Sequence, residues 1–316
     1  MSFFLNETGN YHREDMETLG WELTVCNTIA DPRSVCRRFL MQNASFGELL
    51  YRHLDSLLPF SEITNLLEVG GGYGYLMRDF LACNPALRPV MLDISPLLLR
   101  KQQETLRPWN VEFFEKDFFH VENAFLERFQ LAVLNENCGD FPTVVNITSD
   151  DYHCNDQERN ALISRLYRYI IKYDLSILET ALFNFNLGAV EAVEKLCGAA
   201  VPFIYISEHS CEAETPDIVK GMVDITSTGN PERIALKGHD EYTIKFSHLV
   251  KVAEHHGYRV RRGQFIDFIR PQLSNELRFI LTSGSVKSDE HEIVRQFVED
   301  LVKYEYLVLC RDDNSK

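Results

Sequence analysis

A short apolar run that ends in three consecutive glycines restricts this chain more than any other feature. Asn65 to Val69 reads as a buried strand. The loop Gly70-Gly71-Gly72-Tyr73-Gly74 follows, and a helical pattern resumes at Tyr75. Glycine has no Cβ, so such a loop can bend sharply and let a ligand lie directly against the main chain. A glycine turn between a strand and a helix is shared by several nucleotide-type sites of α/β proteins. Two side chains narrow the choice. Tyr75 stands where a dinucleotide fingerprint needs Gly or Ala for close helix packing. Glu68, just ahead of the first glycine, is unfavourable beside a pyrophosphate and favourable beside the cationic methionine moiety of S-adenosylmethionine (SAM).

The rest of the chain supplies a matching frame. Pro89–Asp93, Val111–Phe114, Gln130–Leu134 and Pro202–Ile206 read as further strands, separated by helical patterns. Ser95 as N-cap and Pro96 in the first turn open a helix running to Leu106. Tyr258–Phe268 and Leu277–Thr282 read as a terminal strand pair. The expected fold is therefore α/β and Rossmann-like, with a mostly parallel sheet, a terminal antiparallel strand, a helical N-terminal region and a helical insertion. The division expected is 1–60 helical, 61–145 plus 200–285 core, 146–199 helical insertion on the substrate side, and 286–316 a C-terminal helical element. No repeat or low-complexity linker interrupts the 316 residues, so one compact unit is expected.

Composition excludes several partners. The net charge of −15 repels a phosphate backbone, so no nucleic-acid substrate is expected. The densest basic cluster, Arg259-Val260-Arg261-Arg262, reads as a solvated strand edge. No apolar run reaches the roughly 18 residues of a membrane helix. The N-terminus has neither signal-peptide nor transit-peptide character. The eight cysteines form no Cys-x-x-Cys pair and read as reduced thiols, which makes the cytoplasm the expected compartment. His120-Val121-Glu122, the adjacent His255-His256 and the pair His209/Cys211 have no ligand-like company in sequence, so no metal is expected.

Candidate site residues follow the strand ends, where open α/β sheets bind ligands. Glu68, Gly70, Gly72, Tyr73 and Gly74 form the expected cofactor loop. Asp93, roughly twenty residues beyond it and followed by Ile94, is placed to accept both ribose hydroxyls. Asp117 and Phe118 are placed to take the adenine amino group and ring; Asp117 as a turn cap is the alternative. After the fourth strand come Asn135, Glu136 and Asp140, expected to orient the methyl acceptor. Two carboxylates there suit the planar fork of a guanidinium.

Taken together these motifs resemble the MidA-like family of class I SAM-dependent methyltransferases. The resemblance runs through Ser45-Phe46-Gly47-Glu48-Leu49, the glycine loop, and Ser95-Pro96-Leu97-Leu98-Leu99-Arg100-Lys101-Gln102-Gln103. It continues through Asn135-Glu136 with Pro142, and through Gly238-His239-Asp240-Glu241-Tyr242-Thr243 to Phe246-Ser247-His248-Leu249. Gly139 stands where the family usually has an aspartate, and Asp140 follows it by one residue. The resemblance implies a SAM cofactor and methylation of an arginine-like nitrogen on a protein. Two other readings stay open: a small-molecule O- or N-methyltransferase, and a non-catalytic SAM-binding assembly protein. A homodimer is compatible with all three.

Overall fold

The computed structural model describes residues 3–14, 24–148, 151, 157–177, 182–284 and 288–312. Seven strands form its main sheet: β1 Asn65–Val69, β2 Arg88–Asp93, β3 Glu112–Glu115, β4 Leu131–Asn135, β5 Phe203–His209, β6 Tyr258–Gln264 and β7 Tyr304–Arg311. Their spatial order is β3-β2-β1-β4-β5-β7-β6. The first five run parallel, and β7 inserts antiparallel to both β5 and β6. The strand order reverses between β1 and β4, which opens a crevice beyond their carboxyl ends. The mostly parallel α/β sheet expected from the sequence is the one observed.

Period-two alternation explains how each strand serves two cores. Leu67, Val69, Val90, Leu92, Ala132, Leu134, Ile204 and Ile206 join one buried cluster. Their neighbours Leu66, Met91, Leu131, Val133 and Tyr205 join the other. Helices Leu187–Gly198 and Phe246–His255 cover the first face. Helices Phe46–Asp55, Tyr75–Cys83 and Asp289–Lys303 cover the second. Ser45 and Glu48 form a reciprocal capping box at the start of Phe46–Asp55. Gly47 lets that helix approach Tyr75–Cys83, because a Cβ there would lie 2.9 Å from the Leu76 carbonyl.

Three expectations are corrected. Leu277–Thr282 is not a strand: helix Asn275–Thr282, capped by Ser274, takes its place. The partner of β6 is β7, which follows helix Asp289–Lys303 without a break, so the C-terminal region is not wholly helical. Nor are the insertion and N-terminal region purely helical. Phe4–Asn6, Thr143–Ile147 and Phe183–Phe185 pair as a small antiparallel sheet beside helix Gln157–Tyr173. The basic cluster does lie on the edge strand β6, where Arg262 pairs with Glu305 at 2.6 Å and Glu212 at 3.2 Å.

Candidate functional site

A cavity of about 560 Å³ occupies the crevice at the reversal of strand order. Its floor comes from the loops after β1, β2, β3, β4 and β5. Residues 7–13 and the hairpin strands Arg233–Ala235 and Asp240–Tyr242 complete the walls.

The glycine loop shows why each position needs its residue. Gly70, Gly72 and Gly74 all have left-handed φ, at 63°, 52° and 78°. A Cβ on Gly70 would meet the Asn137 side-chain nitrogen at 2.8 Å, and that amide donates to the Val69 carbonyl. One on Gly71 would collide with Met91. Gly72 differs. It lines the cavity, and a Cβ there would meet nothing among the described residues within 4 Å. Bare main chain therefore faces open space at Gly72.

Asp93 ends β2 and lies on the same wall, 4% exposed. Its Oδ1 accepts from the Ser95 amide at 2.9 Å, and its Oδ2 from Gln102 Nε2 at 2.7 Å. The same Gln102 nitrogen donates to the Gly72 carbonyl at 3.1 Å, so loop and carboxylate are held by one side chain. Burial pushes the Asp93 carboxyl up to about 6, against the hydrogen bonds from Ser95 and Gln102. Ile94, Asp117 and Phe118 also line the cavity. Asp117 caps a short turn through the Phe119 amide at 2.9 Å and pairs with Arg13 at 3.1 Å.

Other expected residues sit elsewhere. Glu68, Tyr73, Gly74 and Asn135 are not among the residues that line the cavity. Glu68 is buried behind Gly71 beside Met91, with its Oε2 lacking a partner among the described residues. Tyr73 packs edge-on against Tyr75, and Gly74 precedes the first turn of helix Tyr75–Cys83. Asn135 links Ser207, at 2.9 Å, to Glu136, at 3.1 Å.

Glu136 lines the cavity in a left-handed conformation, φ 51°. Both of its oxygens are already engaged, by the Val25 amide at 3.0 Å and the Cys26 amide at 3.2 Å. These are the free amides at the start of helix Val25–Thr28, whose dipole favours a carboxylate. Asp140 is engaged too. Its Oδ1 lies 2.8 Å from His12 Nε2 and 3.3 Å from His239 Nε2. Burial disfavours a charged Asp140, but the two imidazoles outweigh it and hold the carboxyl well below its usual range. Burial likewise opposes a charged His239, yet Asp140 and Glu241 push that ring up to about 9.

Sequence reasoning missed His12, Tyr11, His239, Glu241, Asn137 and Glu208 as cavity residues. One signal was present: His239 and Glu241 stand two apart at a strand, on one face. For His12 there was none, because only the fold brings it to Asp140.

Carboxylates dominate the wall. Asp93, Asp117, Glu136, Asp140, Glu208 and Glu241 face it, against Arg13, Lys116 and the imidazoles of His12, His120, His209 and His239. Glu208, buried, takes the Gly139 amide at 3.0 Å and its neighbour His209's amide at 2.8 Å. Such a wall attracts cations. Among the described residues no helix is long and apolar enough to cross a membrane.

No protein-family model matches the chain, and no curated protein matches it. Solved structures do. An uncharacterized superfamily protein from Burkholderia thailandensis superposes with a TM-score of 0.54 at 15% identity, over 84% of this chain and 79% of that one. The plantazolicin methyltransferase BpumL, in complex with a pentazolic desmethylPZN analog and SAH, gives 0.41 at 10% identity, over 89% and 86%. The N-terminal domain of EvdMO1 with SAH bound gives 0.41 at 14% identity, over 87% and 83%. At 15% identity the likeness to the Burkholderia protein is one of fold, and the fold is a Rossmann-like α/β sheet with one antiparallel strand.

Proposed function

We propose that this chain is a SAM-dependent methyltransferase acting on a nitrogen nucleophile, with a protein side chain of arginine type as acceptor. One observation carries the reading: the bare main chain of Gly72 and the Asp93 carboxylate share one cavity wall and are tied together by Gln102. The residues present fit the cofactor. Gly72 leaves room for a group pressed against the backbone, and Asp93 keeps lone pairs for two vicinal hydroxyls. Asp117 and Phe118 stand on the adjoining strand end, where they would take the adenine.

When bound, SAM supplies a methyl group already activated on a sulfonium sulfur. The protein's task is then alignment and exclusion of water. Residues 7–13 form part of the cavity wall, close it on one side, and contribute to water exclusion. The carboxylate-rich wall favours a cationic acceptor; Glu208 adds little charge to it, because burial raises its pKa well above the usual carboxylate range. Glu136 and Asp140, expected from the sequence to grip the acceptor, act here through others: Glu136 anchors the Val25–Thr28 turn, and Asp140 holds two histidines.

The test is incubation of the pure chain with radiolabelled SAM and cell lysate, beside a Gly72→Ala variant. Label in a protein band, lost in the variant, is expected. The added methyl group occupies the open space at Gly72 and costs about 1 kcal/mol in a left-handed conformation, so folding survives while binding does not. Label confined to small metabolites would overturn the protein acceptor. No SAM binding at all would overturn the reading.

A further inference from the structure

The cavity also gathers side chains that the methyl-transfer reading leaves without contact to the cofactor or the acceptor. His12 comes from helix Gly9–Arg13, Asp140 from the turn after β4, and His239 from the residue just before strand Asp240–Tyr242. Three segments far apart in sequence thus converge. Both imidazole Nε2 atoms address the same carboxylate oxygen, Asp140 Oδ1, at 2.8 and 3.3 Å. Glu241 adds an oxygen 3.3 Å from His239 Nε2. The ligand atoms of His12, Asp140 and His239 all lie within 4.8 Å of one another.

The 3.3 Å separation is that of two ligands around one ion, and the 2.8 Å contact has to open by only a few tenths of an ångström to admit one. Donors bound at about 2.1 Å stand about 3.4 Å apart in a tetrahedral shell and about 3.0 Å apart in an octahedral one. Ring orientation is fixed as well. Tyr11 stacks on His239 with centroids 4.1 Å apart and planes 23° apart. Gly238, at φ 98°, lets that ring approach, since a Cβ would lie 2.7 Å from it. The rings of His12 and His239 meet at 75°, so their nitrogens approach the oxygen from different directions. The Asp140 backbone carbonyl is pinned by Thr8 Oγ1 at 2.8 Å.

We propose that His12, Asp140 and His239, supported by Glu241, form a binding site for a divalent transition-metal ion of the zinc class. Two imidazoles with carboxylate oxygens suit Zn²⁺, Fe²⁺ or Mn²⁺, whereas Mg²⁺ and Ca²⁺ prefer all-oxygen shells. Its consequence is mechanical. An ion here fastens the Glu7–Arg13 segment and the hairpin to the turn after β4, holding the cavity wall they form in place. The site stands independently of the methyl-transfer reading.

The experiment uses the full chain stripped with EDTA and without SAM. Zinc chloride is added, unbound metal is removed by desalting, and retained metal is counted by mass spectrometry. Thermal unfolding is followed with and without the ion. One zinc per chain and a raised melting temperature are expected. His12→Ala and His239→Ala are each expected to lose at least tenfold in affinity, and the control His291→Ala, whose side chain does not line the cavity, none. No retained zinc, or zinc retained equally in the His12→Ala/His239→Ala double variant, would overturn the proposal. Should those variants fail to fold, cobalt in the wild-type chain decides. Visible bands of imidazole-ligated cobalt support the site, and the spectrum of the free aqua ion overturns it. SAM titration of the same stripped protein fails or succeeds separately, so the two readings fall separately.

Discussion

Asp93→Asn is expected to weaken SAM binding roughly 100-fold while changing the stability of the chain by no more than about 1 kcal/mol. The substitution keeps the side chain's shape. Its oxygen can still accept from the Ser95 amide, and its new amino group can donate to Gln102 Oε1, which has no partner among the described residues. A flip of the Gln102 amide achieves this at the expense of its bond to the Gly72 carbonyl. What disappears is the charged acceptor for two ribose hydroxyls. Wild-type affinity should carry a pH signature with the same origin. Burial raises the Asp93 carboxyl to about 6, with His12 and Asp140 as the nearest charges acting on it. Below that pH it holds a proton and offers fewer lone pairs, so affinity should fall about tenfold per pH unit. Above pH 7 it should be flat. In Asp93→Asn the slope should vanish. Calorimetric titration across pH 5–8 checks both statements, and an unchanged affinity in the variant would remove Asp93 from the site.

Glu68→Gln should do the reverse: stabilise the protein by about 3 kcal/mol at pH 7. Glu68 is fully buried behind the loop, with Oε2 lacking any partner among the described residues. Burial, and secondarily the charge of Asp93, pushes its carboxyl up to about 8. The sign follows from linkage. With the folded value raised above 4.5, the neutral acid's contribution is whole below pH 4.5. It is lost as pH climbs to about 8, at about 1.4 kcal/mol per unit. Glutamine has no proton to retain, so the two proteins should match near pH 4.5 and diverge steadily toward pH 8. Denaturant unfolding at four pH values reads this directly. A pH-independent difference would mean that Glu68 is ionised in the folded chain.

Much of this architecture could be read from residues because the information was local. Asn65–Val69 and Leu131–Asn135 are short apolar runs bounded by polar or glycine breaks, which periodicity identifies well. Ser95-Pro96 marks a helix start by capping chemistry alone. Asp93 and Gly72 could be found for the same reason, since a strand end and its loop are adjacent in sequence. Failures came where the local signal was ambiguous or missing. Phe279-Ile280-Leu281 is an apolar triplet that fits either element, and the Ser274 cap decided for helix. Lys303 and Tyr304 pass from helix to β7 with no Gly or Pro between them, so the periodic pattern of Asp289–Lys303 ran on past its true end. Glu136 and Asp140 were located correctly on the cavity wall. What they hold could not be read, because the Val25 amide and the rings of His12 and His239 reach them only through tertiary structure.

A crystal structure of the chain with S-adenosylhomocysteine tests the central claim most directly. The account predicts the ligand's sugar hydroxyls within hydrogen-bond reach of Asp93 and its amino-acid portion against the main chain at Gly72, with the sulfur facing the open cavity. A ligand bound elsewhere, or a Gly72 wall that stays uncovered at saturating ligand, would contradict it.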